Sequence, residues 1–291
     1  MDIQKKIEEN QAKYITPYID VMKEISDINA NGFLSYDSDK KEIKLYDCQE
    51  EYLLNNRLNT ITLVLKCRRS GITTAWLLHV LHELLEYKAN ADAGKKVDKP
   101  YFLYVTNTND YAHDTRKMFY FYLDSLTNSK DFYKLCQECV VFTSESGCPD
   151  KVCGRIVTEA MFDECVFFKN YEDNLMCLLS TRVKHITLAS SIANDEQEAK
   201  MESIRKNLCY HFENKEGCYT YMEVHWWECP VFNKNLVWKK IEIEPVIDKD
   251  GNVAYNKERW EQKIKEGWIP TSEVFERYAT LLNNKTKELL N

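Results

Sequence analysis

The stretch "LVLKCRRSGITTAW", from Leu63 to Trp76, decides the fold class of this chain. It begins with an apolar run that favours a buried strand, and it continues into a short polar turn that contains Gly71. Two threonines follow the turn, and the next residues, "AWLLHVL", are typical of a helix. The sequence therefore predicts a strand, a glycine-containing loop and a helix in direct succession.

A loop in this context is typical of phosphate binding, because backbone N–H groups at the start of the helix point at an anion. Gly71 lets the backbone approach a phosphate closely, and the hydroxyl of Thr73, or of Thr74, suits a magnesium ion. The usual loop of this kind has a lysine directly before the threonine, and here Ile72 occupies that position. Three interpretations stay open: the lysine has moved, the loop is an inactive relic, or the similarity is accidental.

Length and composition set the broad class. A hydrophobic content of 44% over 291 residues is enough for one large domain or two small ones. The net charge of −7 disfavours a protein that coats nucleic acid, but it permits transient contact through a local basic patch. We expect no secretory signal, because the first residues lack an apolar region, and no membrane span, because no apolar run approaches about 18 residues. The eleven cysteines are scattered and odd in number, so we expect a soluble α/β protein of a reducing, intracellular environment.

Four of the cysteines raise the alternative of a zinc site. Cys136 and Cys139 form a C-x-x-C pair, and Cys148 and Cys153 follow along the chain. Two thiolate pairs can ligate zinc, but the first pair falls where a predicted helix passes into a strand rather than in a tight turn. We therefore favour free thiols at these positions.

Predicted strands and helices alternate through most of the chain. Strands are expected at "TITLVLK", "YFLYVTNT", "CVVFTS", "EAMF", "KHITLAS" and "YTYMEVHWW". This alternation predicts a parallel sheet that is covered on both faces. We divide the chain into an N-terminal helical segment (1–40), a core (41–235) and a C-terminal helical extension, lid or linker (236–291).

Polar side chains follow two further strands, at the carboxyl edge where the ligands of α/β sheets collect. Asp163 and Glu164 follow "EAMF", and an acidic pair beside a buried strand is costly unless it handles a cation or a proton. Asp163 is a candidate for the Mg²⁺ shell and Glu164 for activating a water, whereas the alternative is that the pair caps the next helix. The strand "KHITLAS" contains Thr187 and Ser190, and Ser191 follows it directly. Either these residues place hydroxyls beside the expected γ-phosphate, or they form a simple serine-rich turn.

These three strand ends, in this order, resemble the ATPase domain of the large terminase subunits of tailed bacteriophages, the motors that pump DNA into procapsids. The similar region runs from about residue 45 to about residue 230. Arg68, Gly71 and Thr73 occupy places of the family's Walker A loop. Some members carry the lysine at the front of the loop, where Lys66 stands in this chain. The resemblance therefore implies that the lysine has moved, since its flexible stem can reach back over the loop.

The resemblance also implies catalytic roles. Asp163 and Glu164 correspond to the Walker B aspartate and the catalytic glutamate, and the implied catalytic residues are Glu164, Arg68 and Lys66. Arg68 is the candidate for stabilising charge in the transition state. Arg69 faces either solvent or a neighbouring subunit.

The remaining roles concern ligand binding and coupling. Gln49 stands where the family has an adenine-reading glutamine, whose amide both donates and accepts. Thr187, Ser190 and Ser191 fall on the motif that couples hydrolysis to domain movement. The implied Mg²⁺ ligands are Thr73 and Asp163. The implied ATP-binding residues are Gln49, Lys66, Cys67, Arg68, Arg69, Ser70, Gly71, Ile72, Thr73 and Thr74.

The fold implied by the resemblance is a P-loop NTPase of the RecA/ASCE-like kind, with a mostly parallel central sheet flanked by helices. The implied ligands are ATP and Mg²⁺. The implied partners are double-stranded DNA, held transiently and without sequence specificity, the portal protein and the small terminase subunit. Like its relatives, the chain would self-associate into a ring on the portal, in the cytoplasm of the infected host cell.

The chain departs from the family after its core. Large terminases normally continue into a nuclease domain, and the residues that follow are too few for a domain that needs on the order of 100 or more. We therefore expect a motor without nuclease activity, which is either a split terminase with a separate nuclease or the ATPase portion of a longer terminase. Two alternatives stay open: a helicase-type DNA-dependent ATPase, which needs a second RecA-like domain, and a non-catalytic relic that binds a portal or capsid partner.

Overall fold

Six strands form one parallel sheet in the computed structural model, which describes residues 16–36, 41–152, 154–181, 183–192, 194–212, 218–233, 235, 237–240 and 268–271. Strands β1 to β6 are Ile61–Lys66, Phe102–Thr106, Val140–Ser144, Glu159–Asp163, His185–Ser190 and Tyr219–Val224. Their order in space is β3-β2-β4-β5-β1-β6, and each neighbouring pair is parallel. The predicted parallel sheet flanked by helices is confirmed.

Helices alternate with the strands along the chain. Helices α1 to α8 are Thr16–Ala30, Asp47–Leu58, Ile72–Asp92, Asn109–Leu126, Lys130–Cys139, Cys148–Val152, Tyr171–Leu179 and Asp195–Phe212. Side-chain caps fix the starts of two of them. The Thr108 hydroxyl accepts from the Tyr111 N–H at the start of α4, and the Ser129 hydroxyl accepts from the Phe132 N–H at the start of α5.

The sheet separates two apolar layers, because alternate residues of each strand point to opposite faces. Val64 of β1 packs in a layer with helices α1 to α5. Its neighbour Leu63 packs in the other layer, with helices α6 to α8. A sheet buried on both faces needs continuous apolar strands, which is why the β1 residues "ITLVL" show no polar alternation beyond Thr62.

The strand order brings three carboxyl ends together. Strands β4, β5 and β1 are consecutive in the sheet. Asp163 lies opposite Ala189, and Leu65 lies opposite Ser190. The residues that follow these strands therefore share one edge of the sheet, directly before the start of α3.

The described part of residues 236–291 is a pair of strands rather than helices. Strand β7 (Val237–Lys240) pairs antiparallel with β8 (Trp268–Thr271) in a separate two-stranded sheet. The helices expected in this segment lie outside the described residues, as do residues 1–15 of the N-terminal segment, so the division of the chain stays a prediction. Within the described ranges, no helix is both long enough and apolar enough to cross a membrane.

The thiols of the considered zinc site are free and buried where the structure describes them. Cys136, Cys139 and Cys148 are all inaccessible to solvent. Burial raises the pKa of Cys136 to about 12 and that of Cys139 to about 11, which disfavours the thiolate that zinc needs. Cys153 lies outside the described residues.

Candidate active site

Lys66, the last residue of β1, lies between two carboxylates. Its Nζ is 3.2 Å from Asp163 Oδ1 and 3.1 Å from Glu164 Oε1, and its side chain is only 9% exposed. Burial opposes a charged amine, but the two carboxylates outweigh it and raise the pKa of Lys66 above its ordinary value. The ammonium is therefore a fixed positive charge at the carboxyl edge of the sheet.

Asp163 ends β4 and is surrounded by donors. Its Oδ2 accepts from the Thr73 hydroxyl at 2.7 Å and from the Tyr104 hydroxyl at 2.8 Å. Burial alone would raise the pKa of Asp163, but Lys66 and these hydroxyls together lower it. A carboxylate and a threonine hydroxyl in contact are the oxygen ligands that Mg²⁺ takes in phosphate sites.

Tyr104 is a site residue that the sequence analysis missed. It lies on β2, its ring is buried, and its hydroxyl accepts from Thr115 Oγ1 at 3.2 Å while donating to Asp163. The sequence feature that indicates this residue is the second tyrosine of the run "YFLYV", which lies between apolar residues. A phenol buried in a strand needs a hydrogen-bond partner.

Glu164 follows directly and has left-handed backbone angles, with φ 59° and ψ 43°. A non-glycine residue in this region is strained, and such strain collects at functional sites. Its carboxylate accepts from Ser190 Oγ at 3.2 Å and from the Ser191 N–H at 3.1 Å. Ser191 Oγ also donates to it, at 3.1 Å. The structure thus brings Glu164, Ser190 and Ser191 together, while their coupling role stays a prediction.

Gln49 fixes the backbone of the loop between β1 and α3. Gly71 has φ +77°, and a Cβ there would lie 2.1 Å from Gln49 Nε2, so only glycine fits. The Gln49 amide donates to Gly71 O at 3.0 Å and accepts from the Tyr46 N–H at 2.9 Å. Its contacts therefore go to the loop backbone, and its adenine-reading role stays a prediction.

Several predicted residues lie apart from the carboxylate cluster. Arg68 and Arg69 are exposed, and Arg69 has φ 64°. Ile72 is buried in the core, which leaves its backbone N–H as its means of contacting a phosphate. Cys67 Sγ lies 3.3 Å from Cys229 Sγ, and the Cys67 N–H donates to Val224 O at 2.8 Å.

Thr187 also lies apart, in the middle of β5 rather than at its end. Its hydroxyl is fully buried, donates to Asn56 Oδ1 at 3.1 Å and contacts the Tyr52 hydroxyl at 2.8 Å. The expectation that Thr187 lies beside the γ-phosphate is not met, because the strand continues for three residues before it reaches the site edge.

The residues present suit a magnesium nucleotide. The first N–H groups of α3 have no acceptor within the helix, so they are available to phosphate oxygens. Among the described residues, the buried Ser70 hydroxyl beside them has no hydrogen-bond partner. Lys66 lies 3.2 Å from Asp163 as a nearby cation, and the contact of Thr73 with Asp163 offers two oxygen atoms that would hold Mg²⁺.

A strand, a glycine loop and a helix occur in direct succession, with an acidic pair two strands away on the same parallel sheet. The fold is a mostly parallel six-stranded sheet flanked by helices, as the resemblance to P-loop NTPases implied.

Several solved structures are similar to this chain. The UvsW helicase of bacteriophage T4 matches 69% of the chain and 67% of its own length, with 13% identity and a TM-score of 0.45. The large terminase ATPase domain of Thermus phage P74-26 matches 59% of this chain and 78% of its own length, with 9% identity and a TM-score of 0.39. The large terminase of bacteriophage HK97 matches 70% of this chain and 47% of its own length, with 12% identity and a TM-score of 0.47. The chain thus spans about half of the HK97 protein, and neither a family model nor a curated protein matches its sequence.

Proposed function

We propose that this chain binds ATP with Mg²⁺ and hydrolyses it, and that hydrolysis drives movement of double-stranded DNA during viral genome packaging. One observation carries the proposal: Lys66, Asp163 and Glu164 are in mutual contact at the end of the P-loop strand, with Thr73 2.7 Å from Asp163. In an inactive relic, a buried cation, a metal ligand and a strained glutamate would each cost stability without contributing to a function.

Each side chain has a separate task in this proposal. Lys66 neutralises charge on the β- and γ-phosphates, which a preorganised ammonium does without reorganisation. Glu164 accepts a proton from the attacking water, and Ser190 and Ser191 hold its carboxylate in place. Magnesium, held by Thr73 and Asp163, would supply a Lewis acid for the phosphoryl oxygens.

Exposed Arg68 and Arg69 would act from the solvent side of the loop. A guanidinium fork can bridge phosphate oxygens and stabilise the charge that spreads in the transition state. We assign that task to Arg68, and we assign Arg69 to solvent or to the neighbouring subunit of a ring.

The DNA-packaging part of the proposal comes from the resemblance to terminases. It includes transient contact with duplex DNA, docking on a portal protein, cooperation with a small terminase subunit and ring formation. With a net charge of −7, duplex binding is expected to be weak and sharply salt-dependent. Incubation of this chain with plasmid DNA and a divalent cation should leave the DNA intact.

The test is phosphate release from ATP by the full chain, with and without Mg²⁺ and linear duplex DNA. We expect Mg²⁺-dependent turnover that DNA stimulates at low salt. Asp163→Asn should abolish the Mg²⁺ dependence of ATP binding, whereas Asp92→Ala, at an exposed site on α3, should not change it.

Three outcomes would revise the proposal. Tight ATP binding without turnover in any condition identifies an inactive relic. Turnover that single-stranded DNA stimulates and duplex DNA does not favours the helicase-type alternative. Tight, sequence-selective duplex binding in moderate salt contradicts the packaging role, because a translocating motor must release every sequence.

A further inference from the structure

Three cysteines from three parts of the chain lie together beside the loop between β1 and α3. Cys67 is the first residue of that loop, Cys48 lies in α2, and Cys229 follows the short 3-10 helix Trp226–Glu228 that comes after β6. All three are free thiols of the same apolar layer, in which Cys48 and Cys229 are buried and Cys67 is half-buried. The proposed chemistry gives their sulfur atoms no task.

The thiols of Cys67 and Cys229 are in contact. Their Sγ atoms lie 3.3 Å apart, whereas a disulfide bond is about 2.05 Å long, so the sulfurs need to approach by only about 1.3 Å. The sheet register produces this contact, because Lys66 lies opposite Val224 on neighbouring strands and the Cys67 N–H donates to Val224 O at 2.8 Å. The pairing of β1 with β6 therefore keeps the two sulfurs close in the folded chain.

The two sulfurs differ in access and in mobility. An oxidant in solvent can reach half-buried Cys67, whereas Cys229 has no exposed surface. Hydrogen bonds with the Cys48 and Cys67 thiols raise the pKa of Cys229, which makes it the less reactive sulfur. The Cys229 carbonyl accepts from the N–H groups of Phe232 and Asn233 at 2.8 and 3.0 Å, which fixes its backbone. Cys67 is therefore the sulfur that reacts first, and closing the remaining gap displaces the more exposed loop.

We propose that a peroxide converts Cys67 and Cys229 into a reversible disulfide, and that this bond holds the loop in an arrangement that binds ATP weakly. The Cys67 sulfur attacks the peroxide, the O–O bond breaks, and a sulfenic acid and one water result. The Cys229 sulfur then attacks the Cys67 sulfur, and the hydroxyl leaves with the Cys229 proton as a second water. The two thiols lose two electrons and two protons, which the peroxide takes up. A dithiol reverses the bond by thiol–disulfide exchange.

The bond acts on ATP through the backbone that follows it. A cross-link at Cys67 restricts the loop from Cys67 to Gly71, and in the proposed function this loop closes around the phosphates. The effect on ATP therefore rests on the proposed function, whereas formation of the bond does not.

The first test maps the bond. The folded full chain is treated with stoichiometric hydrogen peroxide, its remaining thiols are alkylated after denaturation, and the digest is analysed by mass spectrometry without reduction. We expect one linked pair of peptides, containing Cys67 and Cys229, that disappears after treatment with dithiothreitol. The proposal is overturned if the folded chain yields no such pair, or if Cys229 is linked to Cys48 instead.

The second test compares ATP binding before and after oxidation. The oxidised wild type should bind ATP about fivefold or more weakly than the reduced wild type, the lower end of typical coupling between two sites, and dithiothreitol should restore binding. Cys229→Ser should bind ATP equally in both conditions, because it cannot form the bond. Cys209→Ser, at a half-buried cysteine of α8, is the matched control and should respond to peroxide as the wild type does.

The outcomes separate the switch from the proposed function. Equal ATP binding by the oxidised and reduced wild type overturns the switch. The same loss in oxidised Cys229→Ser also overturns it, because ATP binding would then respond to modified Cys67 rather than to the bond. If the reduced wild type binds no ATP, the proposed function fails, and the mapped bond alone supports the cross-link. Cys229→Ala replaces Cys229→Ser if circular dichroism shows that the serine variant is unfolded.

Discussion

At the scale of single residues, the site is a matter of charge balance. Lys66 lies in contact with Asp163 and Glu164, and burying the two acids without it would leave an uncompensated charge. The sequence predicted all three residues, because each directly ends or follows an apolar strand. The sequence indicated that a buried Tyr104 needs a hydrogen-bond partner but not that Asp163 is that partner, since the two lie 59 positions apart and only the sheet register brings them together.

Replacement of Lys66 tests whether the lysine has moved. Lys66→Ala should lower ATP turnover by roughly 10²–10³-fold, the usual effect of removing one preorganised charge from a transition state. Lys88→Ala, at a partly exposed lysine on α3 far along the chain from the loop, serves as the control and should not change turnover. Steady-state phosphate release measures both.

Normal turnover by Lys66→Ala would disprove the displaced-lysine account and assign the phosphate charge to Arg68 or Arg69. Ile72→Lys is a poor rescue in that background. Ile72 is 1% exposed in the core, so a lysine there would have to bury its charge or unpack the start of α3.

At the scale of elements, the loop between β1 and α3 is shaped by a neighbouring helix. Gln49 of α2 bonds to the backbone of Ser70 and Gly71, which fixes the turn between β1 and α3. The strand, loop and helix were predictable from local pattern, because their signals lie within fourteen residues of sequence. The Gln49 contact was not, since it joins residues 22 positions apart through tertiary packing.

Gly71→Ala tests this contact. A left-handed alanine costs about 1–2 kcal/mol in any loop, and here its Cβ would also displace the Gln49 amide. Gly94→Ala is the matched control, with φ +73° and no atom within 4 Å of the new Cβ. Urea unfolding should show a larger loss for Gly71→Ala than for Gly94→Ala.

Adding Gln49→Ala to the Gly71→Ala variant should remove part of that excess loss, because the clash is then gone. Equal losses for Gly71→Ala and Gly94→Ala would contradict the account of the loop.

At the scale of the whole molecule, a buried polar network ties α1 to the sheet. His79 of α3 bonds to Glu24 of α1 and, through Nε2, to Glu159 Oε2 of β4 at 3.0 Å. Burial alone would raise the pKa of Glu159, but His79 and Asn56 lower it to about 2. Burial would likewise lower the pKa of His79, but the two carboxylates raise it well above its ordinary value. The sequence predicted the parallel sheet from strand composition, whereas this network joins three distant elements and leaves no local pattern.

The network predicts how stability depends on pH. Glu159 contributes stability that is present above its unfolded pKa of 4.5 and is lost as the pH falls towards about 2. His79 contributes stability that is fully present below its unfolded pKa of 6.5 and is lost as the pH rises towards its raised folded pKa. The free energy of unfolding should therefore fall above about pH 6.5, by on the order of 1 kcal/mol per pH unit from this group.

Urea unfolding at several pH values measures that slope. His79→Gln should be less stable than the wild type and should lack this part of the slope. If both proteins lose stability equally between about pH 6.5 and pH 9, His79 does not carry the charge that its partners indicate.

The central claim is that the cluster at the end of β1 and β4 hydrolyses ATP, and Glu164→Gln tests it most directly. Glutamine keeps the shape of the side chain but cannot accept the proton of the attacking water. ATP binding and single-turnover hydrolysis should be measured on the wild type, on Glu164→Gln and on Glu138→Gln, whose glutamate is exposed on α5. The account predicts that Glu164→Gln keeps ATP binding and loses about 10²-fold or more of its hydrolysis rate, while Glu138→Gln matches the wild type. Hydrolysis by Glu164→Gln at the wild-type rate would contradict it.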